Sequence, residues 1–352
     1  MTSENTSPNL TGAPHAPHPP EAHDDGGRVR LGVFVPSTAS QWSAGTDPRE
    51  AIAFGVRAER TGCDSLWVTD SLLTPRLEAL TVLAGLATVT ERVTLGTAAL
   101  LPALRPPVTA AQTIASVDLL SGGRLVLAVG AGFPGPFGEP VYAMAGTPWP
   151  NRFTRLDETV QLWRRLWTGQ GPTSFHGDVL HFDDIAPATC TFRPQGPPIW
   201  LGGATPAALA RTGRLYDGWL PYPPLPGDYA TGIAAVRRAA SDAGRGDRPM
   251  TPALFVNVLL TDAADGGRAE LDAFARGNYG RPIETLEQIQ AMAAGTPEAV
   301  TERLAQYVTA GARHLVVRIA ALDIAAQTAQ LDRLVALRPA LEALLAKQPS
   351  RV

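Results

Sequence analysis

Lysine is almost missing from this chain: of 352 residues only Lys347, near the C-terminus, is one. A lysine Schiff base and a phosphate-binding P-loop both need a lysine inside the fold, so neither chemistry is expected. Cysteine is equally sparse. Cys63 and Cys190 lie far apart in sequence, and a reducing cytoplasm is the simplest setting for two such thiols. No stretch approaches the roughly 20 unbroken apolar residues of a membrane span. No basic start followed by an apolar run marks a secretory signal. A net charge of −3 gives no reason to expect nucleic acid as a partner. No G-x-S-x-G elbow is present, so a serine-hydrolase reading lacks its main support.

Histidine is scarce where it would matter. His15, His18 and His23 sit in the N-terminal tail, leaving His176, His181 and His314. His176 and His181 flank Gly177 and Asp178 in an apparent hairpin. No third ligand is nearby, so we expect surface histidines and no metal site.

Residues 1–27 are rich in Pro, Ser, Thr, Asn and His and contain almost nothing to bury. Disorder is expected there, with a single domain over 28–348. From residue 29 strands and helices alternate. Short apolar runs at 29–36, 65–70, 93–100, 124–132, 198–202, 218–221, 253–261 and 314–320 read as strands. They are unbroken apolar runs, as expected for parallel strands covered on both faces. The helix at 151–168 is amphipathic, with Phe153, Leu156, Val160, Trp163 and Trp167 at helical spacing; its tryptophans are expected to pack against the sheet. Leu331, Leu334, Leu337, Leu341 and Leu344 mark a last helix bent at Pro339. Eight strand–helix units of this length point to a (β/α)8 barrel, with insertions after strands four (133–150) and seven (263–295). Both insertions follow strands and so fall on the C-terminal face, where this fold places its chemistry.

The most informative segment runs from Pro198 to Pro221. Gly202 and Gly203 free the backbone to approach a ligand, while Thr205 as N-cap and Pro206 at the first helical position set the helix start. Amide groups aimed outward at a helix N-terminus suit a phosphate; an ordinary strand-to-helix turn is the plain alternative. Gly130, Gly132 and Gly135 match G-x-G-x-x-G, but Pro134, Pro136 and Pro140 prevent the helix a dinucleotide fingerprint needs. What remains is that these glycines let a flat ligand lie against the backbone. Asp70 and Ser71 end strand two, either facing the barrel mouth or capping a turn. Arg318 sits inside an apolar strand and needs either an anionic ligand or a buried carboxylate. Ser121 to Arg124 read as a helix stop on the opposite face.

Together, SLWVTDSLL (65–73), TERVTLGTAALLPALRPP (90–107), LSGGRLVLAVGAG (120–132), NRFTRLDETVQLWRRLWTG (151–169), PIWLGGATPAAL (198–209), DGWLP (217–221) and GTPEAVTERLAQYVTAGARHLVVR (295–318) resemble the luciferase-like flavin-dependent oxidoreductases. The pieces follow the family's order across nearly all of the folded region. The resemblance implies a TIM barrel holding a flavin-type ring at its C-terminal mouth. Carried over by position, Thr97, Ala98 and Ala99 would line the ring, with a non-prolyl cis peptide at Ala98–Ala99. Gly130 and Gly132 would flank the ring, and Gly202, Gly203, Ala204 and Thr205 would hold the cofactor phosphate. Asp70 and Phe133 complete the expected cofactor-binding set, and Phe133 and Trp149 are expected as pocket walls.

Deazaflavin-dependent sugar-phosphate dehydrogenases of this family carry an Asp-His pair after strand two and a Gly-Glu pair after strand four. This chain has Ser71 and Phe133 at the His and Glu positions. The proton transfer needed to oxidise an alcohol therefore lacks its usual groups. The resemblance implies, first, a two-component monooxygenase using reduced FMN from a separate reductase, with O2 and a small organic substrate. Ser71 and Arg318 are its expected catalytic residues. The alternatives are hydride transfer with coenzyme F420, and a barrel that binds flavin without turnover. Pairing into a homodimer through outer helices is expected of such barrels.

Overall fold

The structure is a computed structural model that describes residues 28–346, apart from 43–44, 134–137, 170 and 264. The tail, Lys347, the end of the expected domain at 348 and Gly135 lie outside the described residues. In chain order the elements are β1 (Arg30–Phe34), α1 (Glu50–Thr61), β2 (Ser65–Val68), α2 (Ala79–Ala87), β3 (Thr94–Leu100), α3 (Pro107–Leu120), β4 (Leu125–Val129), α4 (Glu139–Met144) and α5 (Arg152–Trp167). A hairpin of β5 (Thr173–His176) and β6 (His181–Ile185) follows, then β7 (Ile199–Leu201), α6 (Pro206–Leu215), β8 (Gly218–Trp219), α7 (Pro226–Asp242) and β9 (Thr251–Leu260). The chain closes with α8 (Arg268–Tyr279), α9 (Ile283–Glu287), β10 (Met292–Gly295), α10 (Pro297–Thr309), β11 (His314–Ile319), α11 (Ile324–Val335) and α12 (Arg338–Ala346).

Eight parallel strands close into a ring in the order β1-β2-β3-β4-β7-β8-β9-β11, with β11 returning to β1. This is the (β/α)8 barrel expected from the alternating pattern. β10 is a ninth parallel strand inside the insertion after β9, where we expected only loop. The lengths explain it. β8 pairs only with Thr251 and Pro252 at the start of the ten-residue β9. The far half of β9, from Asn257 to Leu260, pairs instead with β10 and so has no open edge.

The barrel floor is solid. Ser65 Oγ lies 2.7 Å from His314 Nε2 and accepts the Trp67 indole N–H at 2.7 Å. Trp67 and Trp200 stack tilted at 5.1 Å. A Cβ on Gly32 would come within 1.9 Å of Ser65 Oγ, and one on Gly96 within 2.3 Å of the Trp67 ring. Phe34, Val126, Ala128, Leu220, Ala253 and Val316 pack with the two tryptophans to fill the lumen. Burial pushes the His314 imidazole down to about 3, with the Arg30 charge adding to it, so the ring is neutral at ordinary pH. Among the described residues, this filled floor leaves the C-terminal end of the barrel as the place for a ligand.

Thr205 caps α6 by accepting from the Ala208 amide at 3.3 Å, and Thr296 caps α10 the same way from Ala299 at 3.3 Å. Other expectations change. The last helix is two helices: α11 ends at Val335 and α12 begins at Arg338, with Pro339 in its first turn, where a missing N–H costs nothing. Trp163 and Trp167 are fully buried, but they donate to the carbonyls of Pro107 and Ala111 on α3 at 2.9 and 3.0 Å. They fasten α5 to α3 while sharing the buried core with the barrel strands. Gly122 and Gly123 take positive φ at the end of α3. Arg124 then closes the lower rim, donating to carbonyls of Ala87, Thr90, Val93 and Ser121. His176 and His181 sit opposite each other in the β5–β6 hairpin, with His176 on Asp183 at 2.7 Å. Among the described residues no helix is long and apolar enough to cross a membrane, and no three His, Cys, Asp or Glu side chains are grouped to hold a metal.

Candidate active site

The mouth is built from the ends of the barrel strands. At the end of β7, Gly203 takes φ +96°, a backbone setting natural to glycine, and its carbonyl accepts the Trp219 indole N–H at 2.8 Å. That bond holds the turn so that α6 starts at Pro206. Among the described residues the amides of Gly203, Ala204, Thr205 and Ala207 have no acceptor, and Ala204 and Thr205 are exposed. Unpaired N–H groups at a helix N-terminus form a donor set that fits a phosphate.

Beside it lies a low shelf. The Ala98–Ala99 peptide is cis, and both alanines are half-buried. Gly130, half-buried at the end of β4, faces them: a Cβ there would meet Ala99 Cβ at 3.6 Å. Gly132 (φ +81°) turns the chain under Trp149 and Tyr142. Tyr142 donates to the Ala131 carbonyl at 3.0 Å and meets Trp149 edge-on at 4.9 Å, while Arg152 lies over Trp149 at 4.1 Å. The small residues leave a surface that a flat ring can cover. Thr97 is not part of that surface. It is fully buried, and its hydroxyl donates to the Ala128 carbonyl at 3.0 Å.

Asp70 is neither a helix cap nor a free acid at the mouth. Its side chain is 5% exposed, takes two hydrogen bonds from Arg105 and accepts from the Leu101 amide at 2.9 Å. Glu78, which also pairs with Arg105, caps α2 instead. Ser71 Oγ accepts from the Leu73 amide at 3.1 Å, which leaves its hydroxyl proton available to donate. Phe133 is 51% exposed and stacks on Tyr222 at 6.5 Å across the end of β7. Tyr222 meets Phe255 at 6.0 Å, and Phe255 meets Phe34 at 5.1 Å. Four rings therefore line one wall of the mouth.

Among the described residues Arg318 has no carboxylate partner. Its guanidinium lies 4.3 Å over Phe34 and 5.4 Å from Phe255, and Nη1 donates to Tyr279 Oη at 3.0 Å. Tyr279 in turn donates to Asn257 Oδ1 at 3.2 Å, and Asn257 donates to Gln290 at 2.8 Å. Near Arg318 is Arg76, held by Thr69 Oγ1 at 2.8 Å and by Thr74. Burial pushes Arg76 down to about 10, the Arg318 charge adds to this and Asp70 opposes it. Arg76, Tyr222, Phe255, Tyr279 and Asn257 escaped the sequence reading. Asn257 carried the same signal as Arg318, a polar residue inside an apolar strand. Arg76 carried none.

The sequence profile of the family described as luciferase-like monooxygenase matches residues 29–314. The chain is 37% identical over 186 residues to the F420-dependent glucose-6-phosphate dehydrogenase of Amycolatopsis mediterranei, covering 49% of this chain and 53% of that one. It spans about half the length of the curated relatives it first matches. In structure it is similar to an F420-dependent secondary alcohol dehydrogenase in complex with an F420-acetone adduct, with a TM-score of 0.75, 21% identity, and 89% and 99% of the two chains covered. It is also similar to the FMN-bound oxygenating constituent of 3,6-diketocamphane monooxygenase from Pseudomonas putida, with a TM-score of 0.71, 17% identity, and 89% and 98% covered. With a closed parallel barrel, a shelf of small residues at its mouth and a profile match along most of its length, the chain belongs to the luciferase-like monooxygenase family.

Proposed function

We propose that this protein is an oxidoreductase that moves hydride between coenzyme F420 and a small organic substrate. The observation that carries the reading is the mouth itself: unpaired amides at Gly203 to Ala207 lie on one side, next to the low shelf of Ala98, Ala99, Gly130 and Gly132. The first suits a phosphate and the second a flat ring. The similarity to an F420-dependent dehydrogenase at 37% identity supports the deazaflavin over FMN, reversing the order that the sequence alone suggested. When bound, the deazaflavin supplies the hydride chemistry. The chain's own residues bind it, orient it and exclude water: the amides hold the phosphate, and Phe133, Tyr222, Phe255 and Phe34 keep the mouth apolar. Ser71, in the turn after β2, has a hydroxyl proton free to donate to a bound ligand. Sugar-phosphate oxidation is not part of the proposal, because Ser71 and Phe133 stand where a His and a Glu would transfer protons.

That same lack favours a second reading, oxygenation with reduced FMN from a separate reductase and O2. Fluorescence titration of the purified protein with each cofactor separates the two. Saturable F420 binding with weak FMN binding is expected; tight FMN binding without F420 binding overturns the first reading. Ser71→Ala is expected to lower turnover with cofactor affinity unchanged, and unchanged turnover removes Ser71 from the reaction.

A further inference from the structure

We propose that Arg76 and Arg318 form an anion-binding subsite that selects a substrate with a carboxylate on a flat, apolar body. This deepens the reading above by naming the substrate class for the same mouth. Two half-buried guanidinium groups belong to neighbouring strand ends, Arg318 over Phe34 of β1 and Arg76 bridged to Thr38 just after β1, and among the described residues the partners they bond are neutral: Thr69 and Thr74 for Arg76, Tyr279 and three aromatic faces for Arg318. Arg318 Nε is buried with no partner. Asp70, the acid whose charge acts on Arg76, is engaged by Arg105, which also pairs with Glu78. Bringing two like charges together out of water is costly unless something negative joins them. Ser37, on the turn whose next residue, Thr38, bridges to Arg76, also has a buried hydroxyl without a partner. Buried polar groups without a partner call for one, and an anion between these strand ends would supply it.

Position separates this ligand from the cofactor phosphate. In the ring of strands β1 lies four steps from β7 in either direction. Arg318 at the end of β11 and Arg76, bridged to Thr38 after β1, are therefore across the mouth from the amides after β7. The row Phe34, Phe255, Tyr222 and Phe133 begins under Arg318 and runs to the loop after β4, beside the shelf. A carboxylate gripped by the arginines would lay its apolar body along these rings toward the shelf. Guanidinium presents paired N–H groups that match a carboxylate's two oxygens, and phenyl faces suit a flat hydrocarbon.

The test is calorimetric titration of the full chain, with and without coenzyme F420, using benzoate, benzenesulfonate and benzamide. Benzoate is expected to bind at least about tenfold more tightly than the uncharged benzamide, with benzenesulfonate showing whether any oxyanion suffices. Arg76→Gln and Arg318→Gln should each weaken benzoate about tenfold and leave benzamide unchanged, while Arg318→Lys should retain part of the preference. Equal affinity for benzoate and benzamide, no saturable benzoate binding, or folded Gln variants that bind benzoate normally would overturn the proposal. The wild-type comparison stands even if a variant fails to fold. Cofactor titration of the same samples keeps the two readings apart: F420 binding without benzoate preference sinks only this one. Benzoate preference without binding of either cofactor sinks only the oxidoreductase reading.

Discussion

Asp70 and Arg105 face each other through two hydrogen bonds of 2.7 and 2.9 Å, tying the end of β2 to the turn after β3. Both side chains are largely shielded, at 5% and 17% exposure. The same carboxylate holds the Leu101 amide, so the pair sets where the chain leaves the Ala98–Ala99 shelf. Asp70→Asn should cost about 3 kcal/mol, because a shielded guanidinium loses its main charge partner. Urea unfolding measures it, and a change below roughly 0.5 kcal/mol would show that Glu78 alone satisfies Arg105.

Gly203 offers a test confined to the phosphate side. Its φ of +96° disfavours any side chain, and a Cβ there would touch Ala208 Cβ at 3.4 Å. Gly203→Ala should destabilise the fold by about 1–2 kcal/mol and weaken cofactor binding more than benzoate binding. Calorimetry with both ligands checks the difference.

His314 predicts an acid limb. The folded protein keeps the imidazole neutral down to about 3, whereas the unfolded chain takes up a proton below its ordinary value of 6.5. The stability due to this group is thus complete above pH 6.5 and is lost as pH falls toward 3. About 2 kcal/mol should disappear between pH 7.5 and 5. His314→Gln keeps a nitrogen near the Nε2 position, and its urea midpoint should vary less over that range. An unaltered pH slope would assign the acid limb to other groups.

Asp118 works in the opposite direction. Burial pushes its carboxyl up to about 6, although the Phe192 amide and Arg193 both favour the charged form. The folded chain therefore holds a proton that the unfolded chain has already released, and stability falls as pH rises from about 4 to 6. Asp118→Asn can still accept from the Phe192 amide, now at 2.8 Å from Asp118 Oδ2. It should raise stability at pH 7.5 by about 1–3 kcal/mol and change little at pH 4. Thermal unfolding at the two pH values decides it; a lower Tm at pH 7.5 would mean that the charge is the better occupant.

Several features of the mouth were legible before folding because their causes are local. A glycine pair, a threonine cap and a proline at the first helical position mark the turn at 202–206 locally, and the Trp219 indole then braces it. β10 was hidden because nothing in its own four residues calls for a strand; the short β8 leaves the vacancy that β10 fills. Asp70 looked like a mouth residue until Arg105, 35 positions away, claimed it.

From its order of residues alone, this chain was bound to alternate strand and helix, to close a parallel barrel and to place backbone amides at the start of α6, since periodicity and capping act within a few residues. Only the closed barrel decided that Arg76 and Arg318 would share one side of the mouth, that Phe133 would stack on Tyr222, and that Thr97 would be sealed away. Those outcomes depend on which strand ends become neighbours around a ring. That is settled by packing between segments up to hundreds of residues apart, which no local pattern encodes.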